Sequence, residues 1–211
     1  VSSGILTVEK FFNAPFKKRF DVFIHPDRKS LDSTWSKDWN EPGFKSECWM
    51  VASGVAKRID IISPKKWDTE SCEHHYEEKT QTQQLITHEL VHVYHGQLNA
   101  SDDFSNVENI DWFVEGLATY TSGQLDSTRI KEVIKSIDDK TIPSTLDKFW
   151  TGNLKYALSG SVAMFIEKKY GRQKLIELLP FNKKNEILNA LNTTEENLLA
   201  GWKTYIKSLL I

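Results

Sequence analysis

The sequence predicts an α+β fold, with a small mixed or antiparallel sheet in an N-terminal lobe, a central helix, and a helical C-terminal lobe. Three observations carry this reading. Short β-prone runs are confined to the part of the chain before Pro64. From about Thr80 onward the apolar residues recur at helical spacing. The chain has 211 residues, 39% hydrophobic and 27% charged, which fits one ordinary globular domain. Residues 1–98 are expected to form the sheet-bearing lobe with the central helix, and 99–211 the helical lobe.

The elements follow in chain order. Phe20 to Ile24 is a short apolar run ended by His25-Pro26, a predicted strand. Ser30 to Phe44 is polar and Trp-rich and reads as a short helix and loop. Trp49 to Val51 and Arg58 to Ser63 read as two more strands, with Ser53-Gly54 as the turn between them and Pro64 as the stop. Leu85, Val91 and Leu98 mark a helix over Gln81 to Leu98. Asp111 is placed as the N-cap of a helix running Trp112 to Thr121, closed by Gly123. Further helices are expected over Ser127 to Ile137, Leu154 to Tyr170, Arg172 to Leu179 and Glu195 to Leu209.

Composition narrows the function. A net charge of -2 predicts no strong attraction to nucleic acid or to anionic membrane. No apolar run reaches the roughly 18 residues that a membrane span needs. The chain does not begin with Met and carries no leader, so Val1 reads as a mature N-terminus or an internal boundary. Cys48 and Cys72, the only cysteines, can form one disulfide or stand as two thiols. Neither lies in a C-x-x-C, so a cysteine zinc site is not expected. An exported or cell-surface protein is the expectation.

The decisive segment is Thr87-His88-Glu89-Leu90-Val91-His92. Two His at i and i+4 project from one helix face about one turn apart, so both imidazoles can reach one zinc ion. Glu89, beside the first His, is placed to take a proton from water attacking a polarised carbonyl. Alone, the segment also fits a helix with two unrelated histidines. A catalytic zinc usually has three protein ligands and an open position. One source of a third ligand, a His six residues after the second, is excluded because Leu98 stands there. The other is a Glu on a downstream helix, and Glu115 sits among apolar neighbours in Trp112-Phe113-Val114-Glu115-Gly116-Leu117-Ala118-Thr119-Tyr120. A carboxylate in such surroundings needs a partner. Gly116 and Ala118 are expected to let that helix pack close to the metal helix.

His88-Glu89-x-x-His92 followed by Glu115-Gly-x-Ala-x-Tyr120 resembles the gluzincin clan of zinc metallopeptidases, and most of all its compact peptidase-MA-like domains. The likeness runs from about Arg58 to Leu179 and includes Ile61-Ile62-Ser63-Pro64 and the helix through Ser159-Gly160 ending at Tyr170-Gly171. It implies a zincin-like fold, Zn2+ held by His88, His92 and Glu115, Glu89 as general base, and a peptide or protein substrate. The clan often places a Tyr at the start of the helix after the ligand-Glu region, which implies Tyr156 rather than Tyr120 as oxyanion donor. Thermolysin-like members carry a carboxylate four residues after the ligand Glu, bonded to a zinc His. Thr119 stands there and is expected to accept that bond. The Gly-x-x-x-Asn motif of aminopeptidases is not visible, so endopeptidase activity is expected.

The remaining histidines have plainer readings. His95 lies about 10 Å along the helix axis from His88 and is expected to be structural. His74 and His75 sit in an acidic stretch read as a solvated loop. Residues 49–56 are expected to form an antiparallel edge strand able to pair with an extended substrate. A catalytically silent binding module and a processing or toxin protease with one target are the rival functions.

Overall fold

A computed structural model describes residues 1–209. The fold is α+β, with a small three-stranded mixed sheet and mostly helix elsewhere. Chain order is α1 (Ser2–Phe12), β1 (Asp21–His25), α2 (Arg28–Asp38), β2 (Ala52–Val55), β3 (Arg58–Ile62), α3 (Trp67–Glu70), α4 (Lys79–Gly96), α5 (Asp111–Thr121), α6 (Ser127–Asp138), α7 (Lys155–Tyr170), α8 (Arg172–Glu177), α9 (Lys184–Ala190) and α10 (Glu195–Ser208). No described helix is long and apolar enough to cross a membrane.

The sheet has order β1-β3-β2. β1 runs parallel to β3, from Asp21 opposite Arg58 to His25 opposite Ile62. β2 runs antiparallel to β3, with Gly54 opposite Ile59, and forms an edge. The expected strand at Trp49 to Val51 is displaced: β2 begins at Ala52, and Ser53-Gly54 lies inside it. The reversal falls at Ala56-Lys57 instead. Gly54 is in the strand because it touches α4, not because the chain turns there. A Cβ on Gly54 would come within 2.3 Å of the Glu89 carbonyl oxygen. A side chain at that position would push the edge strand off the helix.

Two devices hold the segment before β2. Cys48 and Cys72 form a disulfide, which decides the alternative that the sequence leaves open. The Arg28 guanidinium donates to the carbonyls of Glu47 and Met50 at 2.9 Å, of Cys48 at 3.0 Å, and of Glu70. One planar fork with five N–H donors thus gathers carbonyls from the loop before β2 and from the end of α3. Beneath the sheet, buried Asp60 bonds His25 Nε2 at 2.9 Å and pairs with Arg58 Nε at 2.8 Å.

Helix α4 packs against β2, β3 and α1 on one side and α5 on the other. From Thr87 to Gly96 every residue of α4 is buried, so this is an interior helix and not a surface one. Helix α1 is absent from the sequence expectation. Its buried stripe is only Gly4, Val8 and Phe12, and Ser2, Ser3 and Gly4 are weak helix formers. Phe12 stacks on Tyr94 of α4 at 4.3 Å, which is a tertiary reason for the helix. Helix α9 was likewise not foreseen. Asp111 is the first residue of α5 and Ile110 its N-cap, one position off the expectation.

Helices α5 and α7 meet backbone to backbone. A Cβ on Gly116 would lie 2.3 Å from the Ser159 carbonyl oxygen, and one on Gly160 would lie 3.0 Å from Thr119 Cγ2. Gly116 therefore faces α7, and the expectation that it brings α5 close to α4 is corrected. The consequence for stability is testable at Gly54. Gly54→Ala is expected to destabilise the protein by about 1–3 kcal/mol, the usual cost of overpacking. Urea unfolding would register this as a lower midpoint, and an unchanged midpoint would show that β2 does not bear on α4.

Candidate metal centre

His88 and His92 lie one turn apart on α4, and both are buried. Their Nε2 atoms approach to 3.0 Å. From α5, Glu115 Oε2 comes within 3.2 Å of His88 Nε2 and 3.5 Å of His92 Nε2. These three side chains are the one group among the described residues that places three ligand atoms within 4.8 Å of each other. His74 and His75 join no such group. His74 packs beside Trp67, and His75 bonds Asp68 at the surface, in keeping with a plain loop.

The chemistry of this donor set fits a cation. His88 Nδ1 is 2.8 Å from Gln124 Oε1, an acceptor, so Nδ1 carries the proton and a neutral His88 presents a lone pair at Nε2. That lone pair points at a carboxylate oxygen and at a second imidazole nitrogen. Three groups that mainly accept converge on one point, and a metal ion satisfies all of them at once. Burial opposes ionisation of Glu115, and the neighbouring His92 and His88 outweigh it and hold the carboxyl below its usual range.

Gln124 takes the role expected of Thr119. The Thr119 hydroxyl is buried without a protein partner, in the contact with Gly160 of α7. Its backbone carbonyl instead accepts from the Gln124 N–H at 3.1 Å, which folds the chain back at Gly123. Gly123 has φ 79°, a left-handed conformation suited to glycine. The turn brings the Gln124 amide beneath His88. No spacing in the sequence marks Gln124, because the turn and not a helix face places it.

Glu89 is buried, and burial, joined by the nearby Glu115 carboxylate, pushes its carboxyl up to about 7. Its backbone carbonyl meets Gly54, so Glu89 sits where the helix touches the edge strand. Tyr156, at the start of α7, has its ring 6.1 Å from that of His88. Burial and the carboxylates of Glu115 and Glu89 raise the Tyr156 phenol. Tyr120 faces away. Its hydroxyl lies near Glu167 and its ring packs on Phe11, away from His88, His92 and Glu115.

His88, Glu89, His92, Glu115, Gln124 and Tyr156 line one open cleft of about 980 Å³. Its walls include β2 and the segment before it on one side, and Trp150, Lys155 and Tyr156 on the other. No protein family matches this chain at a significant level, nor does any curated protein or solved structure.

His95 is fully buried and donates Nε2–H to the Leu179 carbonyl at 3.1 Å, which confirms a structural position. Burial, and next the neighbouring His92, lower its pKa to about 3. The unfolded chain would bind this proton near pH 6.5 while the folded one refuses it. Stability is therefore lost as pH falls from about 6.5 toward 3. An NMR titration is expected to find the His95 imidazole neutral at pH 5, and ionisation near 6.5 would contradict that burial. Gln124→Ala is expected to weaken metal binding by about 10–100-fold, the usual effect of removing a group that orients a ligand His. Competition against a chelator measures this, and unchanged affinity would mean that the His88–Gln124 bond does not hold the imidazole.

Proposed function

We propose that the protein is a zinc-dependent peptidase, acting as an endopeptidase on extended peptide or unfolded protein. The observation that carries this is the convergence of His88, His92 and Glu115 in an open cleft, with Glu89 beside the two histidines on α4. Two imidazoles and one carboxylate suit Zn2+ better than Mg2+ or Ca2+, which prefer all-oxygen sites. The resemblance to gluzincins points the same way.

His88, His92 and Glu115 would hold the ion. When bound, it supplies Lewis acidity that polarises a carbonyl and acidifies water. Glu89 takes the proton of the attacking water and returns it to the departing amine, so one carboxyl serves as base and then acid. Tyr156 donates a hydrogen bond to the oxygen on which negative charge grows. The outer edge of β2 offers backbone hydrogen bonds to an extended substrate, which holds the scissile carbonyl in register. The Cys48–Cys72 disulfide supports an exported setting, since such bonds persist outside the reducing cytosol.

The test separates metal retention from turnover. Purified protein is expected to carry one zinc per chain, and His88→Ala with His92→Ala to carry none. Glu89→Gln is expected to keep its zinc and lose about 10²–10⁴-fold in hydrolysis of a denatured protein, the scale of a lost general base. Zinc retained by the double variant would remove the ligand assignment. Hydrolysis near the wild-type rate in Glu89→Gln would remove the mechanism.

A further inference from the structure

One wall of the cleft carries positive charge that the proposed chemistry does not use. Lys155 opens α7, immediately before Tyr156. Its Nζ lies 4.4 Å from the ring centre of Trp49, 4.6 Å from that of Trp150 and 5.2 Å from that of Tyr156. Arg129 of α6 lies 5.8 Å from the same Tyr156 ring. Tyr156 is thus the common neighbour of both cations and of His88. Both cations line the cleft, and neither forms an ion pair among the described residues. Glu73, on the facing loop beside the disulfide, lines the cleft without pairing to either one.

A surface lysine usually reaches into water or pairs with a carboxylate. Lys155 pairs with no carboxylate among the described residues and lies beside three aromatic rings instead. Three aromatic faces attract the ammonium and hold it in one place. An aromatic face is a weak acceptor, so the ammonium can turn an N–H toward a carboxylate that enters the cleft. Arg129 donates one N–H to the Gln124 carbonyl at 2.9 Å and keeps the rest of its fork. Two cations that flank one Tyr156 ring and line one cleft, with no ion pair of their own among the described residues, suit an anion. A planar carboxylate suits a guanidinium and an ammonium together.

We infer that Lys155 and Arg129 form a subsite selecting substrates that carry a carboxylate on the Tyr156 side of the scissile bond. The carboxylate is an acidic side chain or the free C-terminus of a short peptide. The inference rests on the peptidase reading for the scissile bond, but not for recognition of the anion.

The test uses zinc-loaded protein and acetylated hexapeptides in matched sets, with Glu against Gln at each position and a free against an amidated C-terminus. Cleavage of these peptides by wild type is compared with their binding to Glu89→Gln, followed by calorimetry. Wild type is expected to prefer one carboxylate form by about tenfold or more in kcat/KM, the scale of a charge-assisted hydrogen bond. The favoured set tells side chain from C-terminus. In Lys155→Gln and Arg129→Gln, made in the Glu89→Gln background, the binding preference is expected to collapse toward one. Cleavage with no preference at any position or terminus overturns the subsite and leaves the peptidase reading intact. A preference that survives both substitutions overturns it too, since the metal alone would then bind the carboxylate. No cleavage of any peptide, with a binding preference lost in the two variants, overturns the peptidase reading and upholds the subsite.

Discussion

Much of this protein depends on where helix α5 lies between α4 and α7. One side of its second turn presents Glu115 to His88 and His92, at 3.2 and 3.5 Å. The next residue, Gly116, has no side chain because the Ser159 carbonyl of α7 occupies its place. Successive residues on a helix point about 100° apart, so one turn can serve both contacts. The close approach of α7 is what fixes α5, and α5 in turn fixes the carboxylate. α7 also begins with Lys155 and Tyr156, so the same contact places the helical wall of the cleft relative to His88, His92 and Glu115.

The site carries an electrostatic cost that explains its surroundings. Two imidazole nitrogens and a carboxylate oxygen meet within hydrogen-bond range, and the histidines are buried. Such a group is costly without a cation, because buried acceptors have no water to satisfy them. The protein steadies it with a neutral group, Gln124, rather than a carboxylate. An amide oxygen orients His88 without adding a further negative charge to the site.

The opposite wall is built by covalent and polar restraint more than by apolar packing. The disulfide and the Arg28 fork hold the segment that bears Trp49, and β2 rests on α4 through Gly54. Trp49 can then face Lys155 across the cleft. A short loop with few buried apolar residues would otherwise be mobile, and the aromatic contact to Lys155 would be lost.

By itself the sequence determined the features written in local spacing. His88, Glu89 and His92 share a helix because their spacing matches its turn, and Glu115 stands out as a carboxylate in an apolar run. The long helices and the strands β1 and β3 followed from periodicity and from proline and glycine stops. The α+β class followed from their order. Tertiary structure alone decided what meets what. Gly54 reads as a turn residue until the Glu89 carbonyl is found against it. Thr119 has the right spacing for His88, yet the turn at Gly123 delivers Gln124 instead. α1 forms because Phe12 has Tyr94 to stack on, and its own stripe is too thin to announce it. The neighbourhood of Lys155, Trp49 and Trp150 spans more than a hundred residues of chain, and no local pattern encodes such a contact. Helical and strand periods are set by backbone geometry over a few residues, whereas the meeting of two faces is set by the packing of the whole core.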